Sequence, residues 1–191
     1  MSYAERIRAV HRELGIPPDY APTRGLALQV EATLLVAAGH TPDGRELRLT
    51  PETWTAWRQM RSAAAGEGAP LRLLSGFRGV DRQTEIIRRK LGAGQRIDDI
   101  LRVNAAPGYS EHHTGRAVDI GTPDAPPLDE SFAETAAFRW LEAHAHRFGF
   151  LLSYPRDNAQ GIAFEPWHWC WQNATGRRSR RLTASTATPA A

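Results

Sequence analysis

The chain has 191 residues, 41% of them hydrophobic and 24% charged, which suits one globular domain with a buried core. Its net charge of +3 invites a nucleic-acid reading, but Arg177, Arg178, Arg180 and Arg181 lie in a tail with no acid after residue 176. Without them the body carries 20 basic against 21 acidic residues, so no basic face for nucleic acid is expected.

Met1 to Arg8 carries charges where a secretion signal needs an apolar run. The most apolar early stretch, Leu26 to Gly39, is interrupted by Gln29 and Glu31 and is too short to span a bilayer. A cytoplasmic protein without membrane insertion is expected. Residues 3–14 read as an amphipathic helix stopped by Gly15 and Pro17-Pro18. Leu34 to Val36 and Glu46 to Leu49 flank the turn-rich His40-Thr41-Pro42-Asp43-Gly44, a hairpin pattern. Thr50 then caps a helix with Pro51 at its first position, and Trp54, Trp57 and Met60 mark its core-facing stripe.

Leu71 to Leu74 is a short strand leading into Ser75-Gly76-Phe77-Arg78, and a helix is expected from about Asp81 to Leu91. Arg116 to Ile120 reads as a strand carrying Asp119. Ser131 and Glu134 form a capping box for a helix reaching Phe148 and ending at Gly149, with strands at Phe150 to Tyr154 and Phe164 to Trp171. Hairpins and helices mix without a βαβ rhythm, so the expected class is α+β with a small antiparallel sheet. One domain over 1–175 is expected. Residues 176–191, poor in large apolar side chains, read as a disordered basic tail. Cys170 is the only cysteine, so no intramolecular disulfide can form, and a small buried cysteine is expected there. Lys90 is the only lysine.

The chemistry concentrates in Ser110-Glu111-His112-His113-Thr114-Gly115-Arg116-Ala117-Val118-Asp119 and, about fifty residues later, Glu165-Pro166-Trp167-His168. Two imidazoles and a carboxylate can hold one catalytic zinc ion with a position left for water, and a further carboxylate can move that water's proton. In an extended chain only one of His112 and His113 faces the site. Gly115 lets the chain double back before Asp119. Strict alternation would separate Glu165 from His168, so a bend at Pro166 is required if both face the ion. On spacing alone, surface histidines and an edge-strand glutamate remain the competing account. Tyr154, before Pro155, fits either the cleft or core packing.

These two segments resemble the Ser-x-His-x-x-Gly-x-Ala-x-Asp and Glu-x-Trp-His signatures of the LAS zinc peptidases, the group of lysostaphin-type enzymes, D-Ala-D-Ala metallopeptidases and the hedgehog domain. Every fixed position is filled, by Ser110, His112, Gly115, Ala117, Asp119, Glu165, Trp167 and His168. A frame starting at His113 fails, because Glu111 would replace the serine and Arg116 the glycine. Upstream, Ser75-Gly76-Phe77-Arg78 with Gln83 is similar to the Ser-Gly-Tyr-Arg…Gln segment of VanY-type carboxypeptidases, departing only at Phe77. The resemblance covers about residues 70–172.

The resemblance implies a compact α+β fold whose small antiparallel sheet carries one zinc ion on His112, Asp119 and His168. It implies Glu165 as general base and then acid, Arg78 as oxyanion partner or substrate grip, and Ser110 and Gln83 as orienting the terminal residue. The implied activity is release of C-terminal D-Ala from peptidoglycan stem peptides. An L,D-carboxypeptidase trimming recycled muropeptides suits a cytoplasmic setting better than a D,D-enzyme, which would attack the cell's own precursors. A zinc-binding module without catalysis and a lysin-type endopeptidase are the rivals. The oligomeric state is open, with a monomer as the default.

Overall fold

Capping signals set the N-terminal helix where the sequence places it. In the computed structural model, which describes residues 1–172 and so leaves the arginine tail outside the described residues, helix α1 spans Tyr3–Leu14. Ser2 and Glu5 cap it reciprocally, and Gly15 closes it in the left-handed conformation. A single-turn helix, α2 (Tyr20–Thr23), follows. The expected hairpin forms from β1 (Val36–His40) and β2 (Glu46–Leu49). Its first strand lies further along than expected, because Thr41 closes the turn by bonding the Arg45 backbone in both directions.

Thr50 accepts from the Thr53 N–H and starts α3 (Pro51–Gly66). Trp57, Met60 and Ala64 on that helix are fully buried in the main core, and Trp54 packs at its margin. The four-stranded sheet has the order β3 (Arg72–Ser75), β4 (Ala117–Gly121), β6 (His168–Trp171), β5 (Phe150–Leu152), with every neighbour antiparallel. This is the expected α+β arrangement. Every residue of β4 is buried. Val118 and Ile120 enter the main core with Trp169 and Phe150, so Asp119 points to the opposite face.

Helix α4 (Val80–Gly92) packs against α1 and α5 (Ile97–Val103), around a second core that includes Leu14, Tyr20, Ile87, Ile100 and Leu101. Helix α5 has seven residues and starts at Arg96 without a side-chain cap, so no local signal announced it. The helix expected from Ser131 starts later. Asp129 caps a 3-10 turn over Glu130–Glu134, and Thr135 then caps α6 (Ala136–His144). A further 3-10 turn, Ala145–Phe148, leads to Gly149. The last expected strand is a strand only from His168, after a turn at Pro166-Trp167 that proline cannot bridge with a ladder bond. Among the described residues no helix is long and apolar enough to cross a membrane.

The N-terminal third braces the rest. Tyr3 donates to the Gln29 carbonyl, and Arg6 pairs with Glu31 and Asp81. The Glu31 carboxylate accepts the Val80 N–H at 2.8 Å and so caps α4.

One glycine tests this bracing. Gly115 sits at φ 65°, and a Cβ there would lie 2.9 Å from a Leu35 methyl and 3.1 Å from that of Thr50. Gly115→Ala should therefore destabilise the protein by about 1–3 kcal/mol, combining left-handed strain and crowding. An unchanged urea midpoint and slope would refute this.

Candidate metal centre

Antiparallel pairing assembles the site. Asp119 on β4 lies directly opposite His168 on β6, and cross-strand partners share a face. Ser75 pairs with Asp119 from the other side, which delivers Gly76 next to the site. His112 comes from a 3-10 turn, Glu111–Thr114, where an extended chain was expected. Its Nδ1–H donates to the Gly76 carbonyl at 2.7 Å, leaving Nε2 3.3 Å from Asp119 Oδ2. Only glycine fits at 76, since a Cβ would approach the Arg48 carbonyl oxygen to 2.6 Å.

His168 uses both ring nitrogens. Nδ1 lies 3.2 Å from Asp119 Oδ1, and Nε2 donates to Glu111 Oε2 at 3.0 Å. Glu111 in turn accepts the Ser153 hydroxyl at 2.5 Å. The turn across Pro166, closed by the His168 N–H on the Glu165 carbonyl, is the bend that the sequence required. It places Glu165 Oε2 3.8 Å from His168 Nδ1.

His113 faces elsewhere. Its Nδ1–H donates to the Arg78 carbonyl at 2.6 Å, and its Nε2 accepts the Gly108 N–H at 3.0 Å. Burial pushes its pKa down to about 4, and it pins two loops together as a neutral ring. Both histidines are buried, not exposed as the competing account had it.

Charge is unevenly satisfied. Burial would raise the Asp119 carboxyl, but the imidazoles of His112 and His168 outweigh it and hold it well below the ordinary range. Burial alone would lower His168, yet its bonds to Asp119 and Glu111 raise it to about 10. Burial dominates at Glu165 and pushes it up to about 7. The Arg78 Nε is buried with no hydrogen-bond partner among the described residues.

These groups line one cleft of about 290 Å³ that includes Arg78, Ser110, His112, Asp119, Glu165 and His168. Gln83 stands behind the wall, fully buried, with its amide donating to the Ala105 carbonyl at 2.7 Å. It reaches the cleft through Ala105, a lining residue. A larger cleft of about 870 Å³ along α3 contains Arg58, Gln59 and Arg61 but no acid or histidine, so chemistry and not size marks the site.

His112, Asp119 and His168 fit a zinc ion. One donor atom from each lies within 4.8 Å of the others, all three residues are buried, and the spare ring nitrogens are held by Gly76 and Glu111. Cys170, on the same strand as His168, is buried and outside this group. Of two further contributors, Glu111 had no signal in the sequence, whereas Tyr154 was expected either in the cleft or in the core. Glu111 occupies a free position between two motif residues, and an extended chain would have turned it away. Tyr154 lines the cleft, its ring centroid 4.9 Å from that of His168.

Fold and cluster together define a small antiparallel-sheet protein with a buried His-Asp-His cluster that could hold a metal ion. The chain belongs to the VanY family, described as D-alanyl-D-alanine carboxypeptidase, whose sequence model matches residues 46–174. YodJ of Bacillus subtilis (strain 168) is 31% identical over 163 residues, 83% of this chain and 57% of YodJ. The structure of the LdcB LD-carboxypeptidase superposes with a TM-score of 0.68 at 28% identity, covering 81% of this chain and 73% of that one. A vancomycin-resistance D,D-pentapeptidase VanY, solved in complex with Zn(II), gives 0.57 at 28% identity over 75% of this chain and 79% of its own. The chain spans about half the length of the curated relatives it matches.

The Glu111 bond should hold the His168 ring with Nδ1 toward Asp119. Losing such a partner typically weakens metal binding by about 10–100-fold. Glu111→Ala should show this in a zinc competition titration, and Glu111→Gln, which keeps an acceptor, should recover part of it. Equal zinc affinity in all three proteins would remove Glu111 from the centre.

Proposed function

We propose that the protein is a zinc-dependent carboxypeptidase that releases C-terminal D-Ala from peptidoglycan stem peptides, acting on the L,D bond of tetrapeptides. The observation that carries this is the convergence of a proton-exchanging carboxyl, Glu165, and an unpartnered guanidinium, Arg78, on the His112, Asp119 and His168 donors in one cleft.

Held by those three side chains, zinc would act as a Lewis acid toward the scissile carbonyl and lower the pKa of water. Glu165 takes the proton of the attacking water. It then delivers that proton to the departing amine of D-alanine as the carbon–nitrogen bond breaks. A carboxyl poised at about 7 suits both transfers. Arg78 offers a forked donor to the developing oxyanion or to the terminal carboxylate, and its burial without a partner strengthens either contact. The Ser110 hydroxyl, buried in the cleft wall, is placed to orient the terminal residue, and Gln83 supports it through Ala105.

The LdcB LD-carboxypeptidase, at a TM-score of 0.68, leans the reading to the L,D bond, with VanYB in complex with D-alanine-D-alanine at 0.60. The family description favours the D,D bond instead. Mass spectrometry of tetrapeptide and pentapeptide muropeptides after incubation with the zinc-loaded protein separates the two. Cleavage of only the pentapeptide would reverse the assignment.

Glu165→Gln should keep zinc and lose at least about 100-fold in kcat, the lower range for a removed acid–base group. Full activity, or loss of the metal, would show that Glu165 has another role. His112→Ala should lose the zinc that His113→Ala retains, as elemental analysis would show.

Arg78→Ala should cost about 2–4 kcal/mol of transition-state stabilisation, and Arg78→Lys should not restore it because the fork is lost. Amidating the substrate's C-terminus should abolish cleavage by the wild type. Equal rates on amide and free acid would identify an endopeptidase.

A further inference from the structure

Backbone, not side-chain bonding, decides where Glu165 stands. Among the described residues its carboxyl accepts no hydrogen bond, and His168 Nδ1, at 3.8 Å, lies beyond bonding distance. The residue ends a compact loop, residues 154–165, whose mouth is closed by the Glu165 N–H on the Tyr154 carbonyl at 3.1 Å. Asn158 braces the loop from within. Its side-chain amide donates to the Pro155 and Ile162 carbonyls, and its side-chain oxygen accepts the Ile162 N–H. A loop tied to itself in this way moves as a unit, so the carboxyl goes where the loop is fastened.

The fastening is to α5. The last turn of a helix leaves carbonyls without partners inside the helix. In α5 the Ile100 carbonyl accepts from the Asn104 side chain at 3.2 Å, and the Arg102 carbonyl accepts the Ala163 N–H at 2.7 Å. The Leu101 carbonyl accepts from Arg24 Nη1 at 3.0 Å. That same nitrogen reaches the Gln160 and Gly161 carbonyls, at 3.3 Å each. One half-buried guanidinium therefore joins two walls of the cleft, which Val103, Asn104 and Ala105 line from the end of α5, and Ile162 and Glu165 from the loop.

Arg24 is itself held in place. Its Cζ lies 4.9 Å over the ring of buried Tyr20, whose hydroxyl accepts the Ala106 N–H at 3.1 Å. No carboxylate pairs with Arg24 among the described residues, so its charge-assisted donors serve the three carbonyls. The loop's other side-chain tie, Arg156 to Glu130 at 3.4 Å, joins two exposed groups and is weak by comparison.

We propose that Arg24 is a positioning residue: by fastening the 154–165 loop to α5, it sets the reach of Glu165 toward the His112, Asp119 and His168 cluster. The proposal rests on the carboxypeptidase reading, in which Glu165 moves the proton. Arg24 precedes every signature residue and is neither a metal donor nor part of the cleft lining, so its effect on turnover passes through the loop and α5.

The test is a double-mutant cycle on the zinc-loaded protein, with tetrapeptide and pentapeptide muropeptides ending in D-Ala as substrates. Misplacing a reacting group by about 1 Å costs up to about 100-fold. Arg24→Ala should therefore lower kcat by about tenfold or more, with KM within about twofold of the wild type and zinc content unchanged. Arg24→Lys, which keeps a cation for the same carbonyls, should recover part of the loss. In a Glu165→Gln background Arg24→Ala should cost nothing further, because the group it positions is already gone. An equal loss in both backgrounds, or a change confined to KM, would overturn the proposal. Hydrogen exchange adds a measurement that needs no substrate. The amides of Gly161, Ile162, Ala163 and Glu165, each hydrogen-bonded, should exchange about tenfold faster in Arg24→Ala. Unchanged exchange would overturn the proposal by itself, whereas a wild type that cuts neither peptide would overturn the carboxypeptidase reading. Should Arg24→Ala not fold, Arg24→Gln carries the same cycle and the same exchange measurement.

Discussion

Asp119 is the group on which the arrangement turns. It sits at the centre of the four-stranded sheet, 6% exposed, on a strand with no exposed residue. An ionised carboxylate there loses its hydration and is tolerated only beside compensating charge. Two imidazoles face it, and His168 on the paired strand β6, raised to about 10, supplies the charge, while burial lowers His112 in the turn before β4. The remaining features serve those rings. Gly76 accepts one, Glu111 the other, and Ser153 secures Glu111. A divalent cation held there would satisfy the same acids more completely than a shared proton, because it would neutralise Asp119 and free His168 from carrying the charge.

The motifs begin near residue 70, yet the preceding chain holds the site in shape. The Phe77 N–H donates to the Arg48 carbonyl, which is also what excludes a side chain at Gly76. The Ala32 N–H binds the His113 carbonyl, the Gln29 N–H that of Gly108, and the Thr50 N–H that of Gly115. Each bond ties a loop flanking His112 to a segment outside the signatures. Loops that carry functional side chains are precise only when their backbone groups are tied down, and here the hairpin and the Gln29–Ala32 strap do it.

Legibility in the sequence followed the range of each interaction. The cap at Ser2, the Thr50-Pro51 helix start and the core stripe with Trp57 and Met60 are local patterns, and they stand where expected. Glu165 and His168 looked incompatible on strand alternation, and Pro166 pointed to the turn that reconciles them. Helix α5 was invisible because Arg96 caps nothing, and the Ser131 capping box lost to Asp129 and Thr135 on either side. Glu111 was hidden for another reason. Its role depends on a 3-10 turn that rotates it toward a histidine 57 positions away, a contact that no local pattern encodes.

The three acids around His168 are sorted by what they receive. Asp119 and Glu111 each take a ring N–H of His168, at 3.2 and 3.0 Å, and both are held below the ordinary carboxylate range. Glu165 lies 3.8 Å from the same ring, beyond hydrogen-bond distance, and burial lifts it to about 7. Similar carboxyls within one small volume are thereby driven apart, two fixed as anions and one able to gain or lose a proton near neutrality. The turn at Pro166 creates the difference. A strand continuing through 165–168 would have put Glu165 and His168 on opposite faces, whereas the turn keeps them on one side but out of bonding reach. The position of the raised Glu165 carboxyl beside the His112, Asp119 and His168 cluster thus follows from one proline and the register of β6.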